Sequence, residues 1–79
     1  MKKPLIVIDP GHGGRDSGAL YGQLREKNIV LPISLFLAGF LQPDYNCVFT
    51  RTSDIYIPLK DRVFMANSYN ASIFISIHT

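Results

Sequence analysis

The sequence predicts an α/β fold: a three-layer domain with a mainly parallel sheet and helices on both faces, in the order β-α-β-α-β. Two apolar runs predict the sheet. Leu5 to Ile8, and Ile73 to Ile77 broken only by Ser76, read as strands buried on both faces, the habit of parallel sheets. Between them helical periodicity occurs twice, beginning near Glu26 and near Pro58, with a short strand in the middle. Strands alternating with helices through right-handed crossovers are the pattern of an α/β domain.

Taken in order, Leu5 to Ile8 ends in Asp9-Pro10-Gly11. Glycines 11, 13, 14, 18 and 22 then mark a structured loop with almost no aliphatic periodicity. From Glu26 the period turns helical: Ile29, Ile33, Phe36, Leu37, Phe40 and Leu41 make one apolar stripe. Pro32 lies about two turns inside, where a missing donor costs on the order of 3 kcal/mol and predicts a kink or a later helix start. Pro43 and Asp44 end the segment, and Cys47 to Thr50 is a short strand of β-formers. Arg51 to Ile57 connects to a second helix with Pro58 as its first residue. Its stripe is Leu59, Arg62, Val63, Ala66 and Tyr69, with Asn70 as a left-handed terminator.

Composition bounds the function classes. The 79 residues allow one domain, and a chain this short buries only about 60% of its unfolded surface. Hydrophobic residues at 47% and charged ones at 18% exclude a disordered segment. The net charge of +2 has no basic run behind it, so no nucleic-acid partner is expected. The lone Cys47, inside an apolar run, reads as an inert buried thiol. Met1, Lys2 and Lys3 begin like a signal peptide, but Asp9 and Pro10 cut the apolar stretch short, so no export signal is expected. Ile29 to Leu41 is interrupted and shorter than the roughly 20 residues of a membrane span. The chain stops at a strand end, where an α/β domain continues into a loop and helix. Two helices also undercover a three-stranded sheet, so missing sequence or assembly with other chains is expected; the oligomeric state is left open.

The chemistry gathers at the carboxyl ends of the strands, where open α/β sheets bind ligands. His12 lies four residues past the first strand, His78 directly follows the last, and Glu26 opens the first helix, whose N-terminus points to the same edge. Two imidazoles and a carboxylate are a catalytic zinc set with a fourth position for water. Taken singly, each has an ordinary role: His12 as a hydrogen-bonded turn residue, Glu26 as a first-turn carboxylate facing the helix dipole, His78 as a satisfied strand-end histidine.

Several motifs stand together in order: Ile8-Asp9-Pro10-Gly11-His12-Gly13-Gly14, then Asp16, Gly18 and Ala19, then Glu26-Lys27, then Thr50-Arg51 with Asp54, then Leu59, Arg62, Ala66 and Asn67, and last Phe74-Ile75-Ser76-Ile77-His78. The series resembles the zinc-dependent N-acetylmuramoyl-L-alanine amidase family across nearly the whole chain. The resemblance implies that residues 1–79 are the N-terminal part of a single amidase catalytic domain, with His12, Glu26 and His78 as Zn2+ ligands. It implies a peptidoglycan (muramyl peptide) substrate, cut between N-acetylmuramic acid and L-alanine, and action at the bacterial cell wall, extracellular or periplasmic. The family's acid/base glutamate would lie beyond Thr79, so no catalytic acid/base falls within the chain and this piece alone is expected to be inactive. Pro32 departs from the family's usually uninterrupted first helix.

Other readings compete. Two histidines and a carboxylate also form the facial triad of iron oxygenases, which sit mostly on β-rich barrels. A phosphate-cradling loop is disfavoured because Gly11 to Asp16 fits neither Gly-x-Gly-x-x-Gly nor a P-loop. A non-catalytic metal- or peptidoglycan-binding piece stays open. Asp9 and Asp16 read as turn caps or as residues orienting the ligand loop. Arg62 reads as a partner in a buried ion pair or a donor to a carbonyl. Tyr21, Tyr45, Tyr56 and Tyr69 show no regular spacing and are assigned no sugar-binding role.

Overall fold

Four consecutive aliphatic residues at Leu5–Ile8 favour an extended chain covered on both faces, and Ile6, Val7 and Ile8 are each at most 2% exposed. The computed structural model describes residues 2–79. Met1, the first residue of the basic start, lies outside them. The elements run β1 (Leu5–Pro10), β2 (Leu20–Tyr21), β3 (Leu24–Arg25), α1 (Glu26–Leu41), β4 (Asn46–Phe49), α2 (Leu59–Ser68) and β5 (Ile73–Ile77).

The main sheet has the order β4-β1-β5, all parallel, with Ile6 opposite both Cys47 and Ile73. The chain moves one way from β1 to β4 and returns past β1 to β5. Two right-handed crossovers in opposite directions put their helices on opposite faces. Side chains agree: Ile6 and Ile8 pack with Ala38 of α1, while Asp9, of the other parity, meets Arg62 of α2. The expected three layers are present. The glycine-rich loop contains a small antiparallel hairpin, β2 with β3, which has no sequence pattern of its own because each strand has only two residues.

Both helices correct the expected stripes. α1 is continuous from Glu26, without a later start at Pro32. Pro32 is exposed, as is Asn28, whose carbonyl would have accepted the missing N–H, so water can take that bond. The face toward the sheet is Val30, Ser34 and Ala38, flanked by Leu37 and Leu41. Ile33, Phe36 and Phe40 point outward at 47%, 71% and 74% exposure. Small residues at i, i+4 and i+8 let the helix approach the sheet closely, and Ser34 Oγ is satisfied by donating to the Val30 carbonyl at 2.7 Å. In α2, Arg62 and Ala66 are buried, but Leu59, Val63 and Tyr69 are 73%, 46% and 49% exposed. Pro58 is the extended residue before α2 rather than its first residue. Asn70 does end it with φ +55.

Strand limits shift by a residue: the second strand of the main sheet starts at Asn46 and ends at Phe49. The expectation that Ile73 to Ile77 is covered on both faces fails at Ile73 and Phe74, 46% and 38% exposed, and at Ser76, because β5 lies at the sheet edge, beyond the cover the helices give the central strand. Cys47 is half-buried against the core, and burial pushes its thiol pKa up, in keeping with an inert residue. No helix among the described residues is long and apolar enough to cross a membrane.

Candidate metal centre

The site is built on the loop that leaves β1. Gly11 extends the ladder by donating to the Ile77 carbonyl at 3.0 Å. His12 then takes φ +63, a left-handed conformation that costs a side-chain-bearing residue about 1–2 kcal/mol. Neighbours hold it there. Arg62 Nη2 donates to the His12 carbonyl at 2.7 Å, and Gly13 and Asp16 exchange backbone hydrogen bonds of 2.7 and 3.0 Å. Arg51, buried beneath the loop, donates to the carbonyls of Pro10, Gly11, Lys27 and Ser53, tying the loop to the start of α1. Lys27 Nζ adds bonds to the Gly14 carbonyl and to Asp54, whose other oxygen accepts from Gly14 N–H.

Glu26 opens α1 with its side chain 5% exposed. Its Oε1 accepts from Ala19 N–H at 2.9 Å and its Oε2 from Thr79 N–H at 3.1 Å. The Ala19 bond, with help from Thr79 and the histidines, outweighs burial and lowers its pKa, so it is a carboxylate at neutral pH. His12 Nε2 lies 3.1 Å and His78 Nδ1 3.2 Å from that Oε2, and the two ring nitrogens are 3.3 Å apart. The structure thus brings all three sequence-predicted residues together at one sheet edge.

The triangle suits a small cation. Ligand atoms about 2.0–2.1 Å from a tetrahedral zinc are about 3.3–3.4 Å from one another. The protonation pattern fits as well. Asp16 Oδ2 sits 2.9 Å from His12 Nδ1, and that hydrogen bond, with the Gly18 N–H on Oδ1, holds the Asp16 carboxyl below its ordinary pKa. An ionised Asp16 can only accept, so Nδ1 carries the proton and Nε2 turns its lone pair toward the cluster. Asp16 therefore fills both readings made for it, turn residue and orienting residue.

Asp9 caps no turn. It is 1% exposed and accepts from Thr50 Oγ1, Ser76 Oγ and Arg62 Nη1 at 2.7, 2.7 and 2.8 Å. Burial alone would raise its pKa, but these bonds and the Arg62 charge together lower it. Arg62 is the expected ion-pair partner, and it also donates to the Ile57 and Pro10 carbonyls. A cavity of about 240 Å³ opens beside the triad, lined by His12, Asp16, Tyr56, Ile57, Leu59 and His78 above Asp9 and Arg62.

Among the described residues Gly11, Gly13, Gly14 and Gly18 are required by close approach, and two of them, Gly11 and Gly18, face the ligands. A Cβ on Gly11 would lie 2.5 Å from His78 Cε1, and one on Gly18 would lie 2.5 Å from His12 Cδ2 and 2.8 Å from Glu26 Oε1. Lys27, Arg51 and Asp54 stand in the motif series, but their roles are not readable from it, because their partners are backbone carbonyls or residues far along the chain. Tyr21 Oη lies 3.0 Å from Thr79 Oγ1, which brings the hairpin to the same rim.

Comparison with known proteins gives a consistent result. Residues 6–79 match the family model described as N-acetylmuramoyl-L-alanine amidase. The chain is 43% identical over 79 residues to N-acetylmuramoyl-L-alanine amidase AmiC of Neisseria meningitidis, covering 98% of this chain and 19% of that protein. It is 47% identical over 76 residues to the sporulation-specific N-acetylmuramoyl-L-alanine amidase of Bacillus subtilis, covering 92% and 30%. Among solved structures, N-acetylmuramoyl-L-alanine amidase AmiC2 of Nostoc punctiforme superposes with a TM-score of 0.92 at 48% identity, covering 99% of this chain and 44% of that one. The chain therefore spans less than a third of these two curated relatives.

Proposed function

The chain belongs to the N-acetylmuramoyl-L-alanine amidase family, and from that premise we propose that it forms the metal-binding part of a peptidoglycan hydrolase. The substrate is a muramyl peptide, the cleaved bond is the amide between N-acetylmuramic acid and L-alanine, and the place of action is the bacterial cell wall. His12 Nε2, Glu26 Oε2 and His78 Nδ1 hold Zn2+. The observation that carries this reading is the 3.1–3.3 Å triangle of those three atoms at one sheet edge.

When bound there, zinc supplies a Lewis acid and a water acidified to a pKa of about 7. The protein's part is to present three donors on one side and leave the other side open. Asp16 keeps the His12 lone pair directed inward, and the N–H groups of Ala19 and Thr79 fix the Glu26 carboxylate. The adjoining cavity, with Tyr56, Ile57 and Leu59 on its wall, receives substrate next to the donors. Among the described residues the carboxylates beside the triad are already engaged, Asp9 by Arg62, Thr50 and Ser76 and Asp16 by His12 and Gly18. The proton acceptor of hydrolysis therefore comes from outside these 79 residues. General-base assistance contributes about 10²–10⁴ in rate, so the chain alone binds metal but hydrolyses little or nothing.

Metal analysis of protein purified without added metal tests the reading. One zinc per chain is expected, lost on His12→Ala or Glu26→Ala. Stoichiometric iron without zinc would favour oxygenase-type chemistry, and no transition metal at all would sink the proposal. In a protein carrying this segment within a whole catalytic domain, His78→Ala is expected to abolish release of peptides with L-alanine N-termini from purified cell wall.

A further inference from the structure

His12 and His78 are oriented by different means. His12 faces a carboxylate directly, whereas among the described residues no carboxylate touches the distal nitrogen of His78. Its Nε2 lies 3.0 Å from Ser76 Oγ, two residues back on the same face of β5. The sheet register sets Ser76 opposite Asp9 on β1, and Ser76 Oγ donates to Asp9 Oδ2 at 2.7 Å. Behind Asp9 stands the guanidinium of Arg62, 2.8 Å from Oδ1.

We propose that Ser76 is a positioning residue for the metal site, the link through which the buried Asp9–Arg62 ion pair fixes the tautomer of His78 and so presents Nδ1 to the metal. The inference rests on the zinc reading above. Proton accounting supports it. Asp9 is an acceptor only, and its Oδ1 is taken up by Thr50 and Arg62, leaving Oδ2 to Ser76. A hydroxyl has one proton. If Ser76 gave it to His78, an oxygen of Asp9, a residue 1% exposed, would lose its donor, a costly vacancy. Ser76 therefore donates to Asp9 and accepts from His78 Nε2–H, which leaves the Nδ1 lone pair for a cation held beside Glu26 and His12. Gly11 completes the arrangement, since a side chain there would occupy the space of the His78 ring.

The test compares the chain with its Ser76→Ala and Ser76→Thr variants in two measurements. Zinc affinity is read by competition with a chelator. The His78 tautomer is read from imidazole nitrogen chemical shifts in metal-free protein that also carries Glu26→Gln, so that no carboxylate competes for a proton on Nδ1, at a pH where the ring is neutral. Ser76→Ala is expected to weaken zinc binding about 10- to 100-fold, the usual effect of losing an outer hydrogen-bond partner. It should also move His78 from a single Nε2–H tautomer to a mixture. Ser76→Thr, which keeps the hydroxyl, is expected to restore both. Amide spectra of each variant establish that the fold is retained. An unchanged tautomer and affinity in Ser76→Ala would overturn the inference, and so would a Ser76→Thr variant as weak as Ser76→Ala. Failure of the unaltered chain to bind zinc would instead overturn the metal reading itself, while the tautomer measurement would still report on Ser76.

Discussion

At the carboxyl end of the sheet Asp9, Arg51 and Arg62 are each at most 4% exposed, whereas on the outer face of α1 Phe36 and Phe40 are 71% and 74% exposed. The charged residues are inside and the aromatic ones outside, the reverse of what hydrophobicity alone assigns. The buried charges are affordable because each is fully engaged. The two guanidiniums donate to carbonyls of the loop and its surroundings, and the carboxylate receives three donors. The outer face of α1 carries the Phe36–Phe40 edge-to-face contact, with ring centroids 5.1 Å apart. One region is specified by hydrogen bonds that exist only in the folded chain; the other contributes little to this fold.

Several experiments break or sharpen that contrast. The largest effect is expected from Asp9→Ala, which strands the buried Arg62 charge and should cost about 3–5 kcal/mol, read as a fall in the urea midpoint. A loss under about 1 kcal/mol would show that the buried charges are not what holds the site end together. The same contact has a pH signature. The folded pKa of Asp9 lies below its ordinary value near 3.8, so its stabilisation is complete above that value and disappears as pH falls through the lowered one. Acid unfolding should therefore be less steep in Asp9→Asn than in the unaltered chain.

A smaller effect is expected from Gly18→Ala. It combines φ +68 with a Cβ pressed against His12 and Glu26, and should cost about 1–3 kcal/mol. Zinc affinity should fall with it, since the ligands themselves must move. Smallest of all, Phe40→Ser on the outer face should change stability by no more than about 0.5 kcal/mol in thermal unfolding. A large loss there would mean that α1 uses this face in the folded chain after all, and the contrast between the two regions would be gone.

Much of the fold was legible in the sequence because local rules agreed with it. The aliphatic runs at Leu5–Ile8 and Ile73–Ile77, the helix beginning at Glu26 and the terminator Asn70 all lie where strand patterning, periodicity and turn chemistry place them. The face of α1 was not legible. With apolar residues on both sides of the helix, periodicity cannot say which side meets the sheet, and the choice went to Val30, Ser34 and Ala38 because small side chains permit the closest approach. The hairpin of β2 and β3 was not legible either, because two-residue strands leave no pattern.

The site divides the same way. By itself the sequence determined the donor types, two histidines and a glutamate, and their place at strand ends and a helix start, since connectivity alone carries those positions to one edge. Only the tertiary structure decided that Asp16 faces His12, that Ser76 stands between Asp9 and His78, and that Arg51 and Arg62 tie the loop down from beneath. Those contacts join residues up to 67 positions apart. A hydrogen bond depends on distances of a few tenths of an ångström, which are fixed when the sheet register closes and have no counterpart in the linear order of residues.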